Sequence, residues 1–169
     1  PTLEFHEVAR HVPFRVHEGD DASCLNLNRA QKPRLLGVNP ALLEGRFTVA
    51  KGSAWAALKP EGSQSLPTPV ATNEIPAIGD TESIQWAMGK KVGDTIDYVD
   101  DRGRPFKVRI VGAIASSILQ GQLLIDEAEF VKRFPGDSGY RQFLVDAPTN
   151  RVTEISATLS PAMQDVGLG

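Results

Sequence analysis

Four groups of residues in this chain of 169 residues have the types that chemistry uses. Gly136-Asp137-Ser138-Gly139 sets a serine beside an acid in a tight turn, and a serine turns nucleophilic when a histidine oriented by a buried carboxylate takes its proton. Cys24 follows His17 across the acidic turn Gly19-Asp20-Asp21, and a thiolate beside an imidazolium is a competent nucleophile. His6, His11 and His17 are of a type that ligates metals, and Asp97, Asp100, Asp101 and Gly103 loosely follow a calcium loop.

Each group falls short on context. All three histidines lie in one early strand region. They lack the Ala-Ala-His-Cys setting of the chymotrypsin-like serine proteases, whose nucleophile tetrapeptide Gly136–Gly139 matches and whose two β-barrels need more strands than this chain offers. Ser138 therefore reads as part of a turn between a helix and a strand. Cys24-Leu25-Asn26-Leu27 alternates like a half-buried strand, so Cys24 reads as a small buried residue. The histidine spacings fall on mixed faces and lack the paired ligands of structural zinc. The acids of 97–103 miss the alternating positions and the terminal bidentate Glu of a calcium site, which leaves a solvated hairpin tip. No catalytic, cofactor-binding or metal residue is assigned and no cofactor is expected; a hydrolase using Ser138 or Cys24 is the least favoured alternative. Trp86 is expected to be half-buried packing, and Trp55 to anchor either the following loop or a partner.

Composition narrows the function classes. A net charge of −3 and a pI of about 5.6, with Lys and Arg scattered, give no electrostatic footprint for nucleic acid or anionic headgroups. One cysteine cannot form an internal disulfide, and the count does not decide the compartment. The sequence holds no run of 18 apolar residues and no signal-peptide pattern at its start. It begins at Pro1 inside an expected strand and stops at Gly169 after an amphipathic segment, as an excised domain would.

The elements that must position these residues are read from period and punctuation. Phe5 to Glu18 reads as one long or two short strands closed by Gly19-Asp20-Asp21. Asn39-Pro40 is an N-cap with proline at the first helical position, giving a short helix to Leu43 that Gly45 stops, with a strand over Phe47 to Ala50. Lys59 to Thr72, rich in Pro, Ser and Thr, reads as a mobile loop. Glu74–Ile78 is a strand, followed by a helix capped by Asp80 or Thr81 that sets Ile84, Ala87 and Met88 on one side and stops at Gly89. Ile96 and Tyr98 alternate with Asp97, and Phe106, Val108 and Ile110 with Lys107 and Arg109, across a reversal at Asp100–Gly103. Leu123–Ile125 is the next strand. Asp126 then caps a helix, with Glu129 reaching back and Phe130, Val131 and Phe134 facing the core until Pro135-Gly136. Tyr140–Asp146 is a further strand, and Val152, Ile155, Leu159, Met163 and Val166 predict an amphipathic helix interrupted at Pro161. The class is α+β, with helices packed mainly on one face of a mixed or antiparallel sheet. It is read as one domain over 1–169, or as two lobes, 1–58 and 73–169, joined by the loop 59–72.

The phrases of 73–146 carry a family resemblance. Glu74-Ile75-Pro76-Ala77-Ile78, Gly89-Lys90-Lys91-Val92-Gly93-Asp94-Thr95-Ile96 and Val108-Arg109-Ile110-Val111-Gly112-Ala113-Ile114 are followed in order by Leu119-Gln120-Gly121-Gln122-Leu123-Leu124-Ile125, Glu129-Phe130 and Phe134-Pro135. Their order and spacing resemble the extracytoplasmic domain of FtsX/MacB-type ABC transporter permeases. Ser23–Asn28 and Pro33–Val38 are similar to segments of larger permeases of this kind. Taken alone the phrases are structural: Gly-Asp before a strand suits a turn, and Val-Gly late in a strand suits a bulge or a close approach.

The resemblance implies a non-catalytic domain on the periplasmic or extracellular side of the cytoplasmic membrane. Its implied partners are its own transmembrane helices, a second permease copy and a separate cytoplasmic ATPase, with no nucleic acid and with an undefined cargo. No Gly-x4-Gly-Lys-Ser/Thr phrase occurs, in keeping with nucleotide hydrolysis on another chain. The competing class is a stand-alone ligand- or protein-binding α+β module.

Overall fold

A computed structural model describes residues 10–19, 32–59, 62, 66, 70–115, 117–146 and 157. Eight strands form a single mixed sheet: β1 (Arg10–His17), β2 (Arg34–Val38), β3 (Thr48–Gly52), β4 (Glu74–Asp80), β5 (Thr95–Val99), β6 (Pro105–Ala115), β7 (Gln122–Asp126) and β8 (Gln142–Asp146). They pair in the order β3-β6-β4-β7-β2-β1-β8, and β5 joins the first half of β6 on the side where β3 joins the second half. The β2–β7 and β4–β6 ladders are parallel and the rest antiparallel. Strands from before and after residues 59–72 thus lie together in one sheet.

The sheet buries both faces, so its central strands read as near-continuous apolar runs. On one face Val12, Phe14 and Val16 of β1 pack with Leu36, Val38, Ile78, Ile114 and Leu124 under two single-turn 3-10 helices, Pro40–Leu43 and Trp55–Leu58. On the other, Leu35, Ile75, Ala77, Val108, Ile110, Leu123 and Ile125 pack under the α-helix α1 (Glu127–Arg133) and under a π turn at Ser83–Ala87. Each fully buried Leu, Ile or Phe here contributes about 1.5–3 kcal/mol of transfer free energy.

The Val-Gly phrase makes a bulge. Across the β4–β6 ladder Ala77 faces Ile110 but Ile78 faces Gly112, so Val111 is the extra residue. Val111 therefore turns its side chain into the first face, while Ala113, next but one, serves the second. Gly112 is required because a Cβ there would lie 2.3 Å from the Ser53 carbonyl oxygen. Ser53 N–H in turn donates to Val111 O at 2.9 Å, joining β3 to the bulge.

Several expectations are met residue by residue. Asn39 caps its turn by accepting from Ala41 N–H at 3.1 Å, Pro40 stands first, and Gly45 leaves it at φ +75°. The β5–β6 hairpin pairs Tyr98 with Phe106 and Asp97 with Lys107. Asp126 caps α1 by accepting from Ala128 N–H at 2.9 Å.

Others are corrected. Glu129 does not reach back to the cap but forms ion pairs with Arg133 and Lys132, opposite charges that sit within one turn of it on the same helix. Val131 is exposed, because the core stripe of so short a helix is spanned by Phe130 and, one turn on, Phe134. The last strand starts at Gln142, two residues after Tyr140. The helix expected after β4 is a π turn in which Met88 N–H reaches back to Ser83 O. Its wider turn keeps Ile84 and Met88 inward but rotates Ala87 and Trp86 into solvent. Trp86, expected half-buried, is 78% exposed. Trp55 is instead buried, its indole N–H donating to Arg46 O at 3.2 Å and its ring set edge-on to Phe47. The strand read at Cys24–Leu27 and the helix read over Val152–Val166, apart from the single residue Ala157, lie outside the described residues, as does most of 59–72, of which Leu66 and Val70 pack against the first core face.

Candidate functional site

The residues singled out for nucleophilic chemistry come together only in part. His17, at the end of β1, stacks on Phe134 with ring centroids 3.8 Å apart, and its Nδ1 lies 2.6 Å from Asp137 Oδ2. The acid of the Gly136–Gly139 turn thus holds the imidazole, while Ser138 N–H donates to Gly136 O and no hydrogen bond joins Ser138 to a histidine among the described residues. Gly136 N–H donates to Asp101 Oδ2 at 2.8 Å, which fixes the same turn from the hairpin side. The arrangement closes the loop after α1 onto β1. Sequence reasoning weighed His17 as a base for Ser138, as a neighbour of Cys24 and as a metal ligand; its partner Asp137 lies 120 positions away, with no local signal. His6 and Cys24 are outside the described residues, and His11 is six positions before His17 on the same strand, about 20 Å along it.

The acids of the hairpin tip serve the turn. Asp100 Oδ1 accepts from Arg102 N–H and Arg104 N–H, both at 2.9 Å, and Oδ2 accepts from the Arg104 guanidinium. These bonds hold the Asp100 carboxyl below the usual carboxylate range.

A cleft of about 580 Å³ opens at the bulge between β3 and β5, lined by Gly52, Ser53, Gly93, Arg109, Ile110 and Val111, with Val92 and Leu66 at its edge. Among the described lining residues the one cation is already committed: Arg109 donates to Glu74 Oε2 at 2.6 Å, to Glu74 Oε1 at 2.9 Å and to Gly93 O at 2.8 Å. That bidentate pairing holds the Glu74 carboxyl below its ordinary value. It clamps β4, β6 and the loop before β5 together and presents no free charge to the cleft.

The most elaborate polar construction surrounds Asp80, the last residue of β4 and a buried one. Its Oδ1 accepts from Glu82 N–H at 3.1 Å and Ser83 N–H at 3.2 Å, and its Oδ2 accepts from Ser117 N–H at 2.9 Å, 37 positions away. Ser83 Oγ accepts from Gly121 N–H at 2.8 Å, Thr81 Oγ1 donates to Ile114 O at 2.9 Å, and Ser117 Oγ accepts from Leu119 N–H at 2.9 Å. One carboxylate therefore roots two loops, 81–88 and 117–121. Each loop carries a large apolar side chain in solvent, Trp86 and the 74% exposed Ile118. Sequence reasoning found the Asp80 cap but could not see Ser117 joining it.

These loops have a defined position in the sheet. β1, β4 and β6 run in one sense and the other strands in the opposite one. The chain enters the described sheet at Arg10 and leaves it at Asp146, and these two residues are partners in the β1–β8 ladder. The loops after β4 and β6 leave the sheet at the other end. By register, Asp80 stands level with the residue after His17, about 25 Å along the strands from Arg10, and four strands away from β8.

Comparison with models of known protein families finds no match, and no curated protein matches. Among solved structures, the chain is similar to the extracellular domain of the noncanonic ABC-type transporter YknZ from Gram-positive bacteria, with 13% identity over 96% of this chain and 78% of that one and a TM-score of 0.49. It is also similar to the periplasmic region of MacB from Actinobacillus actinomycetemcomitans, with 11% identity over 98% of this chain and 71% of that one and a TM-score of 0.48. Both are extracytoplasmic domains of ABC-type transporters. The sequence phrases of 73–146 resemble the same class.

Proposed function

We propose that this chain is the non-catalytic extracytoplasmic domain of an ABC transporter permease subunit, inserted between two membrane spans and facing the periplasm or the exterior. The observation that carries the reading is the pairing of Arg10 with Asp146, which brings the chain into the sheet and out of it at one point. A domain hung in a loop between spans needs this arrangement. The ordered phrases from Glu74 to Phe134 supply the family, and the bonds made by Asp137, Asp100, Asp80 and Arg109 are those of structural groups.

On this reading the partners are the chain's own transmembrane helices, a second permease copy and a separate cytoplasmic ATPase. Nucleotide-driven movement of the helices shifts the domain's pose toward cargo or an external partner, through contacts that differ in strength between the two states. The test is the full-length gene: stretches of about 20 apolar residues are expected on both sides of this segment, and polar flanks overturn the reading. A second check labels a cysteine at the exposed Val99 in intact cells with a membrane-impermeant maleimide. Labelling without lysis supports an external domain, and labelling only after lysis refutes it.

A further inference from the structure

The second face of the sheet is covered unevenly. Val12, Phe14 and Val16 of β1 turn to the first face, so His11, Pro13, Arg15 and His17 turn to the second. α1 covers that face over β2, where a Cβ on Gly37 would lie 2.6 Å from Phe130 Cγ, and it reaches β1 through Glu127, which pairs with Arg15 and accepts from Tyr140. Past Arg15 the described cover stops. Pro13 is the ladder partner of Phe143 and His11 that of Val145, and Leu144, packed against the first core, fixes Phe143 and Val145 on the second face. Phe143 is 38% exposed and Tyr140 40%, with Pro13 and Val145 half-buried, whereas Val12 and Phe14 on the first face are fully buried.

We propose that the chain covers this strip itself: the stretch from Val152 to Ser160 lies back along β8 as a short helix, with Val152, Ile155 and Leu159 against Pro13, Phe143 and Val145. Three observations select this occupant. Ala157, the one described residue of the stretch, is helical and exposed, and at 3.6 residues per turn it lies about 170° around the helix from the middle of the stripe formed by Val152, Ile155 and Leu159. Its exposure is what a stripe turned toward the sheet requires. β8 ends beside the strip, and residues 147–151 reach up to about 18 Å when extended, enough to reverse the chain over the edge. From Val152 to Leu159 a helix rises about 11 Å, which spans Val145 and Phe143, about 7 Å apart on β8. The strip is also small, since Phe143 and Tyr140 leave on the order of 80 Å² each uncovered. That is far below the roughly 800 Å² per partner of a specific complex, while a tethered segment is held at high effective concentration and needs no such area.

The test uses the full-length protein with its native cysteines, Cys24 included, replaced by serine. Phe143→Cys is combined with Ile155→Cys or Leu159→Cys on the stripe, or with Glu154→Cys or Ala157→Cys on the opposite side, and disulfide formation under a mild oxidant is followed by electrophoresis and mass spectrometry. Within one chain the stripe pairs should close at least tenfold faster than the opposite-side pairs. In Phe143→Cys alone, adding Leu159→Asp should raise the rate of maleimide labelling at position 143 at least threefold, and adding Ala157→Asp should leave it unchanged. Equal closure of all four pairs means a loose tether, disulfide-linked dimers mean a second copy, and no closure means a separate protein or lipid on the strip; each overturns the proposal, as does labelling that ignores Leu159→Asp. Polar flanks in the gene would remove the membrane reading and leave these rates as they are, so the two failures are distinguishable.

Discussion

Replacing Asp80 by alanine tests whether one carboxylate holds the far end of the sheet together. The side chain satisfies three backbone donors, Glu82, Ser83 and Ser117, and the last two bonds are buried. Alanine leaves two buried N–H groups without an acceptor at about 1–3 kcal/mol each, and the cap of the π turn is lost with them. Some of the cost is recovered as water enters, so the expected loss is about 3 kcal/mol, a large fraction of the 5–15 kcal/mol typical of a domain. Asp80→Asn keeps one acceptor and turns an amide donor toward the other N–H, so about half that loss is expected. Urea unfolding should show the midpoint falling in the order wild type, Asn, Ala at constant m-value. Amide exchange should speed at Ser117 as well as at Ser83. A loss below 1 kcal/mol, or acceleration confined to residues 82 and 83, would refute the claim that Asp80 roots both loops.

Gly112→Ala puts a Cβ within 2.3 Å of Ser53 O and 3.2 Å of Ile78 Cγ1, and a drop of about 2–3 kcal/mol in urea unfolding is expected; an unchanged midpoint would mean that β3 yields freely. Glu74 titrates below its ordinary value because Arg109 bonds it, so its stabilisation is present above about pH 4.3 and fades as pH falls through the lower folded value. The stability gap between wild type and Glu74→Gln should therefore be widest near pH 7 and close toward pH 3, and a gap that does not vary with pH would contradict the pairing. Burial pushes the Asp126 carboxyl up, so the charged form is disfavoured in the fold as pH rises past its ordinary value. Asp126→Asn, which can still cap Ala128 N–H, should be at least as stable as wild type at pH 7, an advantage that disappears at pH 3 in paired denaturation curves.

Much of the sheet could be read from the residues because its local and global signals agree. The β5–β6 alternation, the Asn39-Pro40 start and the Asp126 cap are short-range devices, and the structure keeps them. Val111-Gly112 marked the bulge because only a glycine admits the Ser53 carbonyl. What escaped depends on distance or on turn type. Trp86 was misplaced because an α-helical period was applied to an i→i+5 turn, and Val131 because a seven-residue helix buries a narrower stripe than its apolar residues suggest. The two-loop root at Asp80 and the His17–Asp137 bond span 37 and 120 positions, and no pattern within a single window encodes them.

The adjacency of Arg10 and Asp146 has a mechanical consequence. Ladder hydrogen bonds lie across the strands, so a force drawing these two points apart would strain β1 and β8 one rung at a time, peeling the edge strand and leaving β4 and β6 unloaded. A tilt or thrust shared by both points meets the whole ladder and turns all eight strands as a rigid lever. An attachment at these two points would therefore pass common motion and discard relative motion, a mechanical filter set by where the polypeptide enters and leaves the sheet.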